Sequence, residues 1–250
     1  MTSANLAVVV GATGTIGRAV VRRLVGRDLQ VLAVARDRQR LDELAAAVPG
    51  VRYVIADISD NAASEAIAGA IDEPVRMAVF AAGLPVRGSV DTIDPSLLAV
   101  GADIKLGGLL RLVNGVRDHL VRGSRIVTFA GSLGLEPRAG EAGPGVINAG
   151  VFNLMRQFSL VYGPRGVTTH TISPGPADTP RLRRIVEAVA AERGQTFDDV
   201  WASYVADNSL GRLPTADEVS WGVSLLLEPE ADLLHGSVLY LDAGGHRGIG

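Results

Sequence analysis

The stretch Gly11-Ala12-Thr13-Gly14-Thr15-Ile16-Gly17 follows directly on the apolar run Leu6–Val10 and opens a helical pattern. Glycines there let the chain turn tightly and bring backbone N–H groups and a helix N-terminus against a pyrophosphate. A glycine-rich turn alone is a weak signal, and its place immediately after a first strand is what makes it specific. Nineteen residues beyond Gly17 stands Arg36, preceded by the neutral Ala35. An acidic residue near that point would bond a ribose 2′-hydroxyl, whereas a guanidinium suits a 2′-phosphate. NADP(H) is therefore favoured over NAD(H). The plainer alternative makes Arg36 one more solvated arginine, with Asp37 beside it weakening the local field.

Outward from this turn, short apolar runs alternate with amphipathic stretches, the pattern of βαβ units. Seven strands are predicted, at Leu6–Val10, Gln30–Ala35, Val51–Ala56, Val75–Ala81, Ser124–Ala130, Val167–Ser173 and Ser237–Asp242. Each is apolar enough to be covered on both faces. Helices are expected over Gly17–Arg27, Arg38–Val48, Pro95–Val121, Val146–Tyr162 and Ala216–Leu227, the last with Thr215 as N-cap. The fold class is α/β, a doubly wound Rossmann-type parallel sheet of seven strands with helices on both faces. No repeat or linker divides residues 1–250, so one domain is expected. Residues from about Pro180 to Leu210 break the rhythm and suit a substrate lid.

The chain of 250 residues has a formal net charge of −3 and a sequence pI near 5.8. Those values offer no basic field for nucleic acid or an anionic membrane surface. No apolar run approaches the length that spans a bilayer, and no leader precedes Leu6, so a cytoplasmic protein is the simplest expectation. There is no cysteine, and the four histidines lack metal-ligand spacing, so no metal is expected. Lysine and arginine total 24, yet Lys105 is the only lysine.

Several separate stretches resemble the short-chain dehydrogenase/reductase family, over essentially the whole length. Asp57 in Ala56-Asp57-Ile58 sits where the family places an adenine-contacting aspartate. Phe80-Ala81-Ala82-Gly83 is similar to the family's NNAG turn with both asparagines replaced. Ser173-Pro174-Gly175-Pro176-Ala177-Asp178-Thr179 resembles its PG motif, which implies that Pro174, Gly175 and Thr179 embrace the nicotinamide end. Gly211-Arg212-Leu213-Pro214 and Asp242-Ala243-Gly244-Gly245 resemble its closing signatures, and the glycine turn reads GxxGxxG where the family has TGxxxGxG. The resemblance implies a small-molecule substrate and homodimers or homotetramers packed through the helices beginning near Pro95 and Val146. Gly107, Gly108 and Gly115 would allow close helix approach at such an interface, or serve packing within the chain.

The family's catalytic residues do not carry over. Its serine position aligns with Gly131, with Ser132 one residue later; its YxxxK positions align with Pro144 and Asn148; and its helix asparagine aligns with Lys105. Ketone reduction needs a proton donor near the carbonyl. Proline has no such proton and asparagine no charge. Lysine and asparagine have thus exchanged places between two helices, which keeps a cation in the pocket. An ammonium is the group whose pKa shifts readily on burial. Lys105 is expected to reach the nicotinamide ribose or the substrate, helped by Asn148 and by Ser132; the alternative leaves Lys105 on a helix surface. Weaker substrate candidates are Glu136, Arg138 and Glu141 in the loop after the fifth strand, and Trp201 and Tyr204 in the lid. His170 reads as a satisfied core residue.

Three functions follow as expectations. The first is an atypical NADP-dependent oxidoreductase acting on a ketone or secondary alcohol of a small organic substrate, of the natural-product kind. The second is a non-redox cyclase, isomerase or dehydratase on the same fold. The third is a catalytically silent dinucleotide-binding subunit, since a pocket can outlast its chemistry.

Overall fold

In β1 (Leu6–Val10), alternate side chains leave the strand on opposite faces. Leu6, Val8 and Val10 enter one buried cluster with Leu109, Leu112 and Val151, while Ala7 and Val9 enter another with Val20, Leu24 and Val223. Both faces of the strand are dry, so its sequence reads as a continuous apolar run rather than an alternation.

The computed structural model describes residues 4–84 and 86–248. Beyond β1 the order is α1 (Thr15–Val25), β2 (Gln30–Ala35), α2 (Arg38–Ala47), β3 (Val51–Ile55), α3 (Ala62–Ala68) and β4 (Val75–Phe80). The second half runs α4 (Pro95–Ala102), a π-helical turn (Asp103–Gly107), α5 (Gly108–Val116), β5 (Leu120–Phe129) and α6 (Ala142–Tyr162). It continues through β6 (Thr168–Ser173), α7 (Pro180–Arg193), α8 (Phe197–Ala206), α9 (Ala216–Leu225) and β7 (Val238–Tyr240). All seven strands are parallel, in the order β3-β2-β1-β4-β5-β6-β7. This is the doubly wound Rossmann-type sheet. The chain's progression reverses between β1 and β4, where such sheets open a crevice at the strands' carboxyl ends.

Four details differ from the sequence reading. Leu120 and Val121 belong to β5, not to the preceding helix, because Leu120 pairs with Val75 of β4. The long helix carries a π turn at Asp103–Gly107, and α6 begins at Ala142 rather than Val146. Pro144 is only its third residue, where the missing N–H has no intrahelical partner to lose. The short α3 had no counterpart in the reading. Thr215 does cap α9, in a capping box with Glu218.

The predicted interface glycines also have jobs inside the chain. A Cβ on Gly107 would sit 2.7 Å from Asp103 Oδ1, one on Gly108 3.0 Å from the Phe80 ring, and one on Gly115 2.9 Å from Ile67. Their smallness thus admits neighbours of the same chain. His170 is fully buried between Leu234 O and Thr168 Oγ1, as a core residue. Burial, then the charge of Arg125, push its pKa down to about 4. No described helix is long and apolar enough to cross a membrane.

Candidate active site

A cleft of about 630 Å³ lies at the carboxyl ends of β4, β5 and β6. Ala81–Leu84, Ala130–Leu133 and Pro174–Ala177 line its floor, and α7 and α8 cover it with Leu182, Ile185 and Tyr204. These two helices share a small core of their own, built on Leu182, Val186, Ala190 and Val200 with Trp201 packed against it.

At one end of the cleft, the glycine turn is shaped by contacts that exclude side chains. Gly11 has φ +77°, and a Cβ there would lie 2.8 Å from the Ala81–Ala82 backbone. A Cβ on Gly17 would lie 2.1 Å from Gly11 O. Gly14 N–H donates to Gly11 O at 3.0 Å, and Gly11 N–H to Val34 O at 2.9 Å. The resulting bare backbone at the mouth of α1 is a cradle that fits a dinucleotide pyrophosphate. Of this turn, Ile16 reaches the cleft itself, while Thr13 and Thr15 stay with the turn.

Arg36 is exposed and lies 3.6 Å from Asp57, whose other oxygen accepts from Ser59. Two further arginines, which the sequence reading missed, converge on the turn. Arg40 Nη2 donates to Thr13 O at 2.9 Å and Arg18 Nε to the same oxygen at 3.2 Å. The Asp37 carboxylate accepts from Arg40 N–H at 3.1 Å as the N-cap of α2. Ile58 is a core side chain against Gly108, not a cleft residue.

Lys105 stands in the π turn between α4 and α5, where an inserted residue breaks the regular ladder. Only 5% of it is exposed. Its Nζ donates to Phe129 O at 2.9 Å and lies 5.6 Å from the centre of the Phe80 ring. Among the described residues no carboxylate pairs with it. Burial, then the like charge of Arg181, lower its pKa to about 8. One of its three protons is engaged by Phe129 O, and the residue lines the cleft.

Asn148, 7% exposed on α6, lines the same cleft. A Cβ at Gly131 would approach its Nδ2 to 3.2 Å, so a larger residue at 131 would displace the amide. Ser132 and Pro144 line the cleft as well, as do Gly175 and Thr179, whose hydroxyl accepts from Leu182 N–H as the N-cap of α7.

The substrate candidates divide. Arg138, Glu141 and Tyr204 line the cleft. Glu136 instead accepts the N–H groups of Arg247 and Gly248 at 2.8 and 3.0 Å, tying down the C-terminal segment. Trp201 stacks on Phe197 at 5.6 Å with the Arg183 guanidinium 4.8 Å from its ring, because it faces the core between α7 and α8.

Comparison with known proteins agrees with this architecture. Residues 11–246 match the family described as Enoyl-(Acyl carrier protein) reductase. The short-chain reductase protein NovJ of Streptomyces niveus is 27% identical, over 96% of this chain and 93% of its own. An oxidoreductase of the short chain dehydrogenase/reductase family from Burkholderia thailandensis superposes with a TM-score of 0.81 at 26% identity, covering 99% and 94% of the two chains. A short chain oxidoreductase from Pseudomonas aeruginosa PAO1, NADPH-bound and with an atypical catalytic center, gives a TM-score of 0.85 at 24% identity, covering 98% and 97%. The crevice at the strand reversal, the side-chain-free turn beside it and the match over residues 11–246 place this chain in the short-chain dehydrogenase/reductase family.

Proposed function

We propose that the protein is an NADP(H)-dependent oxidoreductase of a small ketone or secondary alcohol, with Lys105 as its proton donor and acceptor. The observation that carries this reading is a buried ammonium with no carboxylate partner among the described residues, lining the cleft at the carboxyl ends of the strands. Bound NADPH would supply a hydride to the carbonyl carbon. Lys105 Nζ would give a proton to the carbonyl oxygen, yielding the alcohol and a neutral amine. The same burial that lowers its pKa stabilises that amine. Solvent then returns the proton. Asn148 would hold a ribose or substrate hydroxyl from the facing helix. The bound NADPH of the Pseudomonas aeruginosa oxidoreductase supports the coenzyme assignment. Absorbance at the NADPH band, followed across a panel of ketones, tests the whole reading. Coenzyme binding without consumption by any ketone would overturn the redox assignment and favour a non-redox or silent role.

Preference for NADP(H) rests on Arg36 and Arg40 flanking the adenosine end of the turn. Arg40→Gln is expected to weaken NADPH binding roughly 10- to 100-fold, the worth of a charge-assisted bond, and NADH binding by less than about twofold. Equal losses for the two coenzymes in fluorescence titrations would remove Arg40 from 2′-phosphate recognition.

Self-association through α4–α5 and α6 is part of the same proposal. Val100, Val146, Leu160 and Val161 are 51–64% exposed on these helices and supply apolar contacts for such packing. Sedimentation equilibrium should give a dimer or tetramer; a monomer at micromolar concentration would contradict it.

A further inference from the structure

Arg181 is the second residue of α7, yet its guanidinium reaches back to the end of β4. Nη2 donates to Leu84 O, and Nη1 lies 2.7 Å from the place a Cβ of Gly83 would take. Gly11 of the phosphate-binding turn abuts Ala81 and Ala82 in the same segment. Neighbouring residues are about 3.8 Å apart, so the guanidinium lies one residue beyond the seam between turn and strand.

Three other arginines around the cleft have carboxylates. Arg183 forks onto Asp178 at 2.9 and 2.8 Å, Arg87 meets Glu141 at 3.3 Å, and Arg138 meets Asp207 at 2.8 Å. Among the described residues Arg181 pairs with none. It is instead crowded by like charges: burial first, then Arg87 and Arg184, hold its pKa below the ordinary arginine value. A partly desolvated cation among cations is incomplete without an anion. The helix pair that carries it has its own core, separate from those of the sheet.

We propose that Arg181 pairs with the diphosphate of the bound dinucleotide and so clamps α7 over the cofactor. This rests on the cofactor reading above. The pair has a consequence for Lys105, whose proton affinity the Arg181 charge depresses. Neutralising that charge raises the proton affinity of the Lys105 amine, so coenzyme entry shifts its titration upward.

The diphosphate is common to NADPH and NADH, which makes the test selective. Fluorescence titrations of both coenzymes are run on the wild type, Arg181→Gln and Arg181→Lys, with thermal denaturation confirming that each variant is folded. Arg181→Gln should weaken both coenzymes by one common factor of roughly 10- to 100-fold, and Arg181→Lys by less. Unchanged affinities for both coenzymes overturn the clamp. So does a raised KM confined to carboxylate-bearing ketones with coenzyme affinity intact, which would give the guanidinium to a substrate anion. A wild type that binds neither coenzyme overturns the cofactor reading itself, and the clamp with it.

Discussion

Replacing Lys105 by methionine is expected to lower turnover by about 10²- to 10⁴-fold, the range for loss of a positioned general acid, while the protein becomes more stable. Both effects have one cause. The ammonium is held in a buried site on the cleft wall with one carbonyl partner, and its pKa is lowered from 10.5 to about 8. That shift corresponds to roughly 3 kcal/mol of native-state destabilisation at neutral pH. Methionine removes the charge, keeps the volume and gives up one hydrogen bond, for a net gain of about 2 kcal/mol and a Tm increase of roughly 4–8 °C. Turnover and Tm measured on one preparation check the pair. A variant as active as the parent would end the catalytic assignment, and one less stable than the parent would show that the ammonium is not under strain.

The pH dependence follows with a definite sign. Between about 8 and 10.5 the unfolded chain holds the Lys105 proton while the native chain has released it. Wild-type stability therefore rises across that window and is insensitive to this group below it. Ketone reduction needs the ammonium, so its rate should fall as pH rises through about 8, whereas alcohol oxidation needs the free amine and should rise there. Coenzyme paired with Arg181 would move both transitions upward.

Much of the sheet was legible because parallel strands covered on two faces leave uninterrupted apolar runs, and each predicted strand corresponds to an observed one. What failed was decided by tertiary pairing. Leu120 and Val121 continue the helical periodicity of α5, and only their place beside β4 makes them strand. Gly143-Pro144-Gly145 reads as a breaker, although a helix tolerates proline in its first turn. Lys105 stood out as the only lysine and by its place at the family's asparagine position, but no spacing announces the π turn that buries it against Phe129. Nor does the sequence bring Arg18 and Arg40 to one carbonyl or Arg181 to Gly83, since those meetings join segments far apart in the chain. Glu136 shows the same limit: expected as a substrate contact, its side chain instead accepts from two backbone amides of the C-terminal segment.

Gly17→Ala is expected to reduce binding of NADPH and NADH by more than about 100-fold and to destabilise the fold by about 1–3 kcal/mol, the cost of overpacking a tight site. The added methyl would fall 2.1 Å from Gly11 O, 2.9 Å from Gly11 C and 3.0 Å from Ala12 Cα, all backbone atoms. No rotamer change relieves such a contact, so the turn must move. Gly11 has little room to retreat, because even a Cβ on it would lie 2.8 Å from the Ala81–Ala82 backbone. The start of α1 must then swing away from β4, and the N–H groups that would hold the diphosphate swing with it. Gly14→Ala is the control: its methyl would meet Gly11 O at 3.3 Å, a contact the turn can absorb by a small shift. The first variant should lose coenzyme affinity while the second keeps most of it, in parallel titrations with thermal denaturation. If Gly17→Ala binds coenzyme like the parent, the diphosphate is not seated on this turn, and the adenosine and lid arginines would need another anion to serve.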